Sequence, residues 1–201
     1  FLVPTICYRL VEFGAHKKYD LSSLEMVVYA SAPMNPEKLK ILIQEMGNIF
    51  VTVYGASEAY PPATIMGRSE HLAETEEDAA RLYSCGRPVS TVELMLVDDD
   101  GNEVPDGEIG EIWIRGPGVA MGYYKSPELT AKEFTEDGWW KSGDLARRDQ
   151  KGYYYIVDRK KDMIISGGFN VYATEVEAYL GAHPAVLNSA VVGIPHPEWG
   201  E

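Results

Sequence analysis

The sequence predicts a mixed α/β fold in three successive parts. Three observations carry this reading. A strand–helix–strand pattern with short connections runs from 26 to 54. Short strands bounded by turn residues follow between 86 and 157. A new helix-bearing stretch opens after Asp158. The first is the signature of a parallel unit, read here as the end of an α/β subdomain over 1–85. The second indicates a small, distorted, mostly antiparallel β-barrel over 86–157. The third is the start of a small, incomplete α+β domain over 158–201.

The clearest helix begins at Asn35, a good N-cap, with Pro36 at the first helical position. Leu39, Leu42, Ile43 and Met46 then form one apolar stripe at helical spacing, and Gly47 ends it. Met26 to Ala30 precedes it as a short buried strand, and Ile49 to Tyr54 follows as another. In open parallel sheets, ligands gather at the loops beyond the strands' carboxyl ends. Ser31-Ala32-Pro33 and Gly55 to Glu58 occupy such loops.

Residues 68–81 are polar and acidic and read as a surface segment. Val92 to Val97 is a strand ending at the hairpin signal Asp99-Asp100-Gly101-Asn102. Ile109, Ile112 and Ile114 mark a second strand, and Tyr153 to Val157 a third. Ser126-Pro127 is expected to cap a short helix reaching about Phe134. Beyond Asp158, Thr174 is a candidate cap for a helix that buries Val176, Tyr179 and Leu180, and Val186 to Ile194 is a further strand candidate. His183-Pro184 and His196-Pro197 read as turns. No internal repeat is found.

Composition sets the outer bounds. Apolar residues make up 45% and charged residues 24%, an ordinary globular balance with no disordered character. Eighteen basic against 31 acidic residues give a formal charge of −13, which opposes general binding to nucleic acid. The two cysteines, Cys7 and Cys85, form no ligand pattern and suit a reducing compartment, so a cytoplasmic location is expected. No apolar run approaches the roughly 20 residues that span a bilayer. The four histidines share no ligand spacing.

Singly, the polar features are weak signals. Gly167-Gly168 reads as a turn, Asp144 as a turn acid, Arg159 as a surface ion-pair partner; Trp139, Trp140 and Tyr153 to Tyr155 read as core. Their order changes the odds. Tyr54-Gly55-Ala56-Ser57-Glu58 is followed by Gly86-Arg87-Pro88, Ser142-Gly143-Asp144-Leu145, Asp158-Arg159-Lys160-Lys161-Asp162, Ser166-Gly167-Gly168-Phe169-Asn170-Val171 and Glu175-Val176-Glu177. This series resembles the successive signatures of the adenylate-forming ligases, the superfamily of acyl-CoA synthetases, peptide-synthetase adenylation domains and firefly luciferase. The resemblance covers essentially the whole chain.

The resemblance implies an ATP site. Adenine would lie between Ser31-Ala32-Pro33 and the Tyr54-Gly55 turn. Ser57 would offer a hydroxyl to phosphate, and Glu58 would hold Mg²⁺, a hard cation that prefers carboxylate oxygens. These two are the candidate catalytic residues. Asp144 would accept from both ribose hydroxyls, Arg159 would reach ribose or phosphate, and Ile156 is a further nucleotide-contact candidate. Asp158 would be the hinge on which a C-terminal domain rotates, and Ser166-Gly167-Gly168 the loop beside the coenzyme A arm.

The implied activity is that of an acid–CoA ligase using ATP, Mg²⁺ and coenzyme A on a small carboxylic acid. The run from Gly167 to Tyr172 leans toward a fatty or medium-chain acid, with an aryl acid close behind. Loading onto a carrier-protein pantetheine, or a non-catalytic interaction module on the same fold, are the alternatives. The family's phosphate loop has no match here and its C-terminal lysine would fall beyond Glu201. The chain is therefore expected to be a fragment inactive by itself.

Overall fold

The computed structural model describes residues 1–59, 62–181, 183, 185–186 and 189–201. Helix α1 (Pro4–Glu12) leads to strand β1 (Val27–Tyr29), helix α2 (Pro36–Met46) and strand β2 (Phe50–Tyr54). Strands β1 and β2 pair in parallel, with Val27 opposite Phe50, as the strand–helix–strand pattern requires. Asn35 caps α2 through its Oδ1, which accepts from the backbone N–H of Glu37 at 2.9 Å and Lys38 at 3.1 Å. Gly47 ends the helix at φ +85°, where a side chain would be strained. Leu39 and Leu42 are fully buried, contributing about 2 kcal/mol each. They pack with Cys7, Tyr29 and Phe50 in the first core cluster.

Strand β3 (Thr64–Met66) then joins β2 antiparallel, and β4 (Arg87–Pro88) joins β3, so the sheet is mixed. Between them the acidic segment is more structured than its composition suggests. A 3₁₀ turn over Arg68–His71 precedes helix α3 (Glu76–Arg81), which Thr75 and Asp78 close with a reciprocal capping box. His71 is not a surface residue but is almost fully buried.

Strands β5 (Glu93–Val97), β6 (Ile109–Arg115), β7 (Trp140–Arg148) and β8 (Tyr154–Arg159) form an antiparallel sheet in that order. Among the described residues this sheet is open, so the expected barrel does not close: β5 and β8 each pair with one neighbouring strand only. Leu96, Ile112, Ile114, Trp140, Ala146 and Tyr154 form its core cluster. The hairpin signal after Val97 makes a single bridge, Val97 to Glu103, and the ladder partner of β5 comes later as β6. Helix α4 (Pro127–Glu133) lies where expected, but the Ser126 side chain makes no capping bond; its carbonyl accepts from the Thr130 hydroxyl instead. The two sheets are tied at Gly86 and Tyr154. Tyr154 N–H donates to Gly86 O at 2.9 Å and Cys85 N–H to Tyr154 O at 2.8 Å.

Strands β9 (Ile164–Ser166) and β10 (Phe169–Val171) form a hairpin before helix α5 (Ala173–Gly181). Thr174 lies inside α5 rather than before it, and its hydroxyl donates to the Val157 carbonyl. The face expected to be buried is not: Tyr179 is 84% exposed, and Val176 and Leu180 are exposed as well. Ala173, at the helix start, is the buried residue that anchors α5 against β8. The strand candidate at 186–194 forms no strand among its described residues; 187 and 188 lie outside them, as does Pro184 of the expected turn.

Candidate functional site

The register of β7 explains how an acid far along the chain reaches the end of β2. Glu111 pairs with Leu145 and Trp113 with Lys141, so one residue of β6 faces three of β7. Ser142, Gly143 and Asp144 therefore bulge from the sheet, a device that re-aims a side chain. Gly143 takes φ +71° within it. On the other side Asp144 pairs with Arg159, and Val157 is an extra residue in β8 between the Asp158 and Ile156 pairs.

So aimed, Asp144 meets the first sheet. The Tyr54 hydroxyl, at the carboxyl end of β2, donates to Asp144 Oδ2 at 2.7 Å across 90 residues of sequence. Arg159 Nε lies 3.6 Å from Asp144 Oδ1, with most of its side chain in solvent. Burial pushes the Asp144 carboxyl above its ordinary range, opposed by the Tyr54 hydrogen bond and the Arg159 charge. Burial, then the Asp144 carboxylate, push the Tyr54 phenol well above its usual value. An acid, a phenol and a guanidinium thus share one junction, with carboxylate oxygens able to accept and an exposed cation beside them.

Glu58 stands four residues after Tyr54, within about 14 Å of it at full stretch of the chain. Its Oε1 accepts from the Tyr123 hydroxyl at 3.0 Å, and its carbonyl from Ala120 N–H at 2.7 Å. A bridge between Ala59 and Val119 fixes the loop further. Tyr123 was not legible as a site residue; its ring packs edge-on against Phe134, 5.5 Å between centroids. Among the described residues no group of three or more acids, histidines or cysteines could enclose a metal. A single carboxylate nonetheless suits Mg²⁺, which takes its other ligands from substrate phosphates and water.

Ser57, Ser31, Ala32 and Pro33 are exposed at the ends of β2 and β1. Ser31 holds φ +72°, a left-handed conformation uncommon outside glycine and a site of local strain. Gly55 lies close to a neighbouring backbone: a Cβ would stand 3.3 Å from Pro62 Cα and Ala63 N, a tight contact that favours glycine. Ile156 packs against the core of the antiparallel sheet. Trp139, Trp140 and Tyr153 to Tyr155 are buried, as expected of core residues. Asp158 is buried at 4% exposure within β8, its Oδ1 accepting from Arg159 N–H at 2.8 Å and its Oδ2 from Thr174 N–H at 3.4 Å. Gly167 and Gly168 form the two-residue turn of the β9–β10 hairpin, both with positive φ as a type I′ turn demands. Trp199 covers Gly167 closely, and Gly167 N–H donates to the Trp199 carbonyl at 2.8 Å.

Comparison with known proteins gives the family. The family model for AMP-binding enzymes matches residues 1–124. A medium/long-chain-fatty-acid–CoA ligase of Mycobacterium tuberculosis is 46% identical over 200 residues, covering 100% of this chain and 34% of that protein. A feruloyl-CoA synthase of Amycolatopsis is 42% identical over 201 residues, covering 100% of this chain and 39% of the synthase. Among solved structures, an amide bond synthetase from Marinactinospora thermotolerans superimposes with a TM-score of 0.90 at 37% identity, over 100% of this chain and 39% of that one. The chain thus spans little more than a third of the relatives it matches, and throughout that span it follows them in sequence and in fold. It belongs to the AMP-binding enzymes, the adenylate-forming superfamily.

Proposed function

We propose that this chain supplies the nucleotide-gripping part of an ATP-dependent acid–CoA ligase, a cytoplasmic enzyme acting on a fatty or medium-chain acid. The single observation that supports this best is the Tyr54–Asp144–Arg159 junction at the carboxyl end of β2. In this reading Asp144 accepts hydrogen bonds from the ribose hydroxyls while Tyr54 holds its second oxygen. Arg159 swings from the rim onto ribose or phosphate, and Ser57 donates to phosphate. Glu58, oriented by Tyr123, would hold Mg²⁺, which when bound neutralises phosphate charge.

Two steps follow. A substrate carboxylate oxygen attacks the α-phosphorus of ATP and the bond to the pyrophosphate leaving group breaks. The thiol of coenzyme A then attacks the acyl carbonyl and AMP leaves. Two anions must meet in the first step, so positioning and charge neutralisation carry it. Asp158, at the point where β8 gives way to the β9–β10 hairpin, is the proposed hinge, and Ser166 to Gly168 the loop beside the incoming thiol.

Similarity to the feruloyl-CoA synthase favours a second reading in which the acid is aromatic. Acid-dependent exchange of labelled pyrophosphate into ATP by the full-length protein separates the two. Exchange driven by medium- and long-chain acids supports the first reading and exchange driven by ferulate-like acids the second. No exchange with any acid would sink the ligase proposal. Thioester formation on free coenzyme A, rather than only on a holo-carrier protein, decides the acceptor.

A further inference from the structure

A bulge that projects Asp144 leaves backbone groups without ladder partners, and a buried unpaired N–H is costly. Glu111 resolves this. Its side chain is only 11% exposed, and its Oε1 accepts from Gly143 N–H at 3.2 Å at the crest of the bulge. Its Oε2 accepts from Lys160 Nζ at 3.1 Å, one residue beyond Arg159. Lys160 in turn closes the same crest: its backbone N–H donates to Gly143 O at 2.8 Å, and its ammonium reaches Asp99 at 2.8 Å. Both backbone groups of Gly143 are thus held, one by the Glu111 carboxylate and one by the residue that Glu111 pairs with.

A carboxylate this enclosed is tolerated only with a cation and a hydrogen bond, and it has one of each. Among the described residues it makes no hydrogen bond or ion pair to Asp144 or Arg159, although its charge raises the Asp144 carboxyl. It is bonded instead to Gly143, which precedes Asp144, and to Lys160, which follows Arg159, and Asp144 and Arg159 are register partners. A Cβ built on Gly143 would meet nothing within 4 Å, so no neighbour packs on that side of the crest. Hydrogen bonds set the crest: Glu111 and Lys160 bond to Gly143, and Asp144 N–H donates to Ser142 Oγ at 3.0 Å. Of these, only the Glu111 side chain spans both Gly143 and Lys160.

We infer that Glu111 is a positioning residue for nucleotide recognition: by holding the Gly143 N–H and Lys160 together, it fixes the aim of Asp144 and Arg159. This rests on the proposed grip of Asp144 on ribose, and it predicts a loss of ribose reading without loss of any group that touches the nucleotide.

The test compares ATP with 3′-deoxy-ATP as ligands of the full-length protein, measured by titration calorimetry on the native enzyme and its variants. Native protein is expected to prefer ATP and Asp144→Ala to lose that preference; a native protein without it overturns the ribose grip on which the proposal rests. Glu111→Ala is expected to lower the preference at least five-fold, and Glu111→Gln, which keeps an acceptor for Gly143 but presents an amide NH2 to Lys160, to restore part of it. If Glu111→Ala does not fold, Glu111→Asp serves, since a carboxylate one methylene shorter withdraws from Gly143 while keeping its charge beside Lys160. It too must lower the preference. A native preference in these variants, together with its loss in Asp144→Ala, overturns the role of Glu111 and leaves that of Asp144 standing. An unchanged preference in Asp144→Ala overturns both.

Discussion

The side chains of Phe50, Leu39 and Leu42 lie buried in the core of the parallel unit, packed against apolar neighbours. Asp144, in contrast, lies in an irregular stretch of β7 where polar partners set the geometry: Tyr54 on its carboxylate, Glu111 and Lys160 on the glycine before it. The first arrangement is non-directional and depends on volume. The second depends on distances of about 3 Å and on which atom donates. The molecule thus separates what makes it stable from what aims its acid, and substitutions should separate the same way.

The largest expected effect falls on the apolar side. Phe50→Ala should destabilise the protein by about 3–5 kcal/mol, read as a fall in urea midpoint, because the cavity adds to the lost transfer energy. A loss well under this, with the denaturant slope unchanged, would break the contrast.

An intermediate effect comes from His71, a polar group buried within the apolar unit. Its Nδ1 lies 2.8 Å from the Gly67 carbonyl, which can only accept, so Nδ1 carries the proton and Nε2 accepts from the Tyr29 hydroxyl at 3.0 Å. Burial lowers its pKa, countered by the Gly67 bond and the nearby Glu70 and assisted by Arg81. The unfolded state therefore binds the proton more readily. The neutral-histidine contribution is complete above the unfolded value near 6.5 and is lost as pH falls below it toward the depressed folded value. The slope from this one group is at most about 1.4 kcal/mol per pH unit. His71→Gln should flatten that portion of the stability profile; an unchanged profile between pH 6.5 and 5 would show that His71 does not titrate on unfolding.

The smallest effect is local. Asn35→Ala removes the α2 cap and should cost about 1 kcal/mol in thermal or chemical denaturation, without altering nucleotide binding.

The same contrast explains what the sequence disclosed. Asn35-Pro36, the stripe from Leu39 to Met46 and Gly47 define α2 to the residue, because capping and periodicity are local properties. Strand β7 was hidden because Trp140 to Arg148 does not alternate: the bulge at Ser142 to Asp144 interrupts the period of two. Asp144 and Arg159 were legible only through their place in a series of motifs. Their meeting depends on strand register, which no local pattern encodes. Glu111 had one faint signal, a carboxylate between Gly110 and Ile112 in a strand rich in isoleucine. Tyr123 had none, since its role is a contact across 65 residues. Helix α3 could have been found from Thr75 and Asp78, a capping pair inside a stretch whose acidity suggested only surface. For α5 the pattern misled: Val176, Tyr179 and Leu180 share a face, but in this chain that face meets solvent.

The central claim is that Asp144 grips the sugar of a bound nucleotide, and ATP affinity of the full-length protein tests it most directly. Hydrogen bonds to a charged group contribute about 1.5–3 kcal/mol each, so Asp144→Ala should weaken ATP binding at least about ten-fold. A variant that folds and binds ATP as tightly as the native protein would contradict the account.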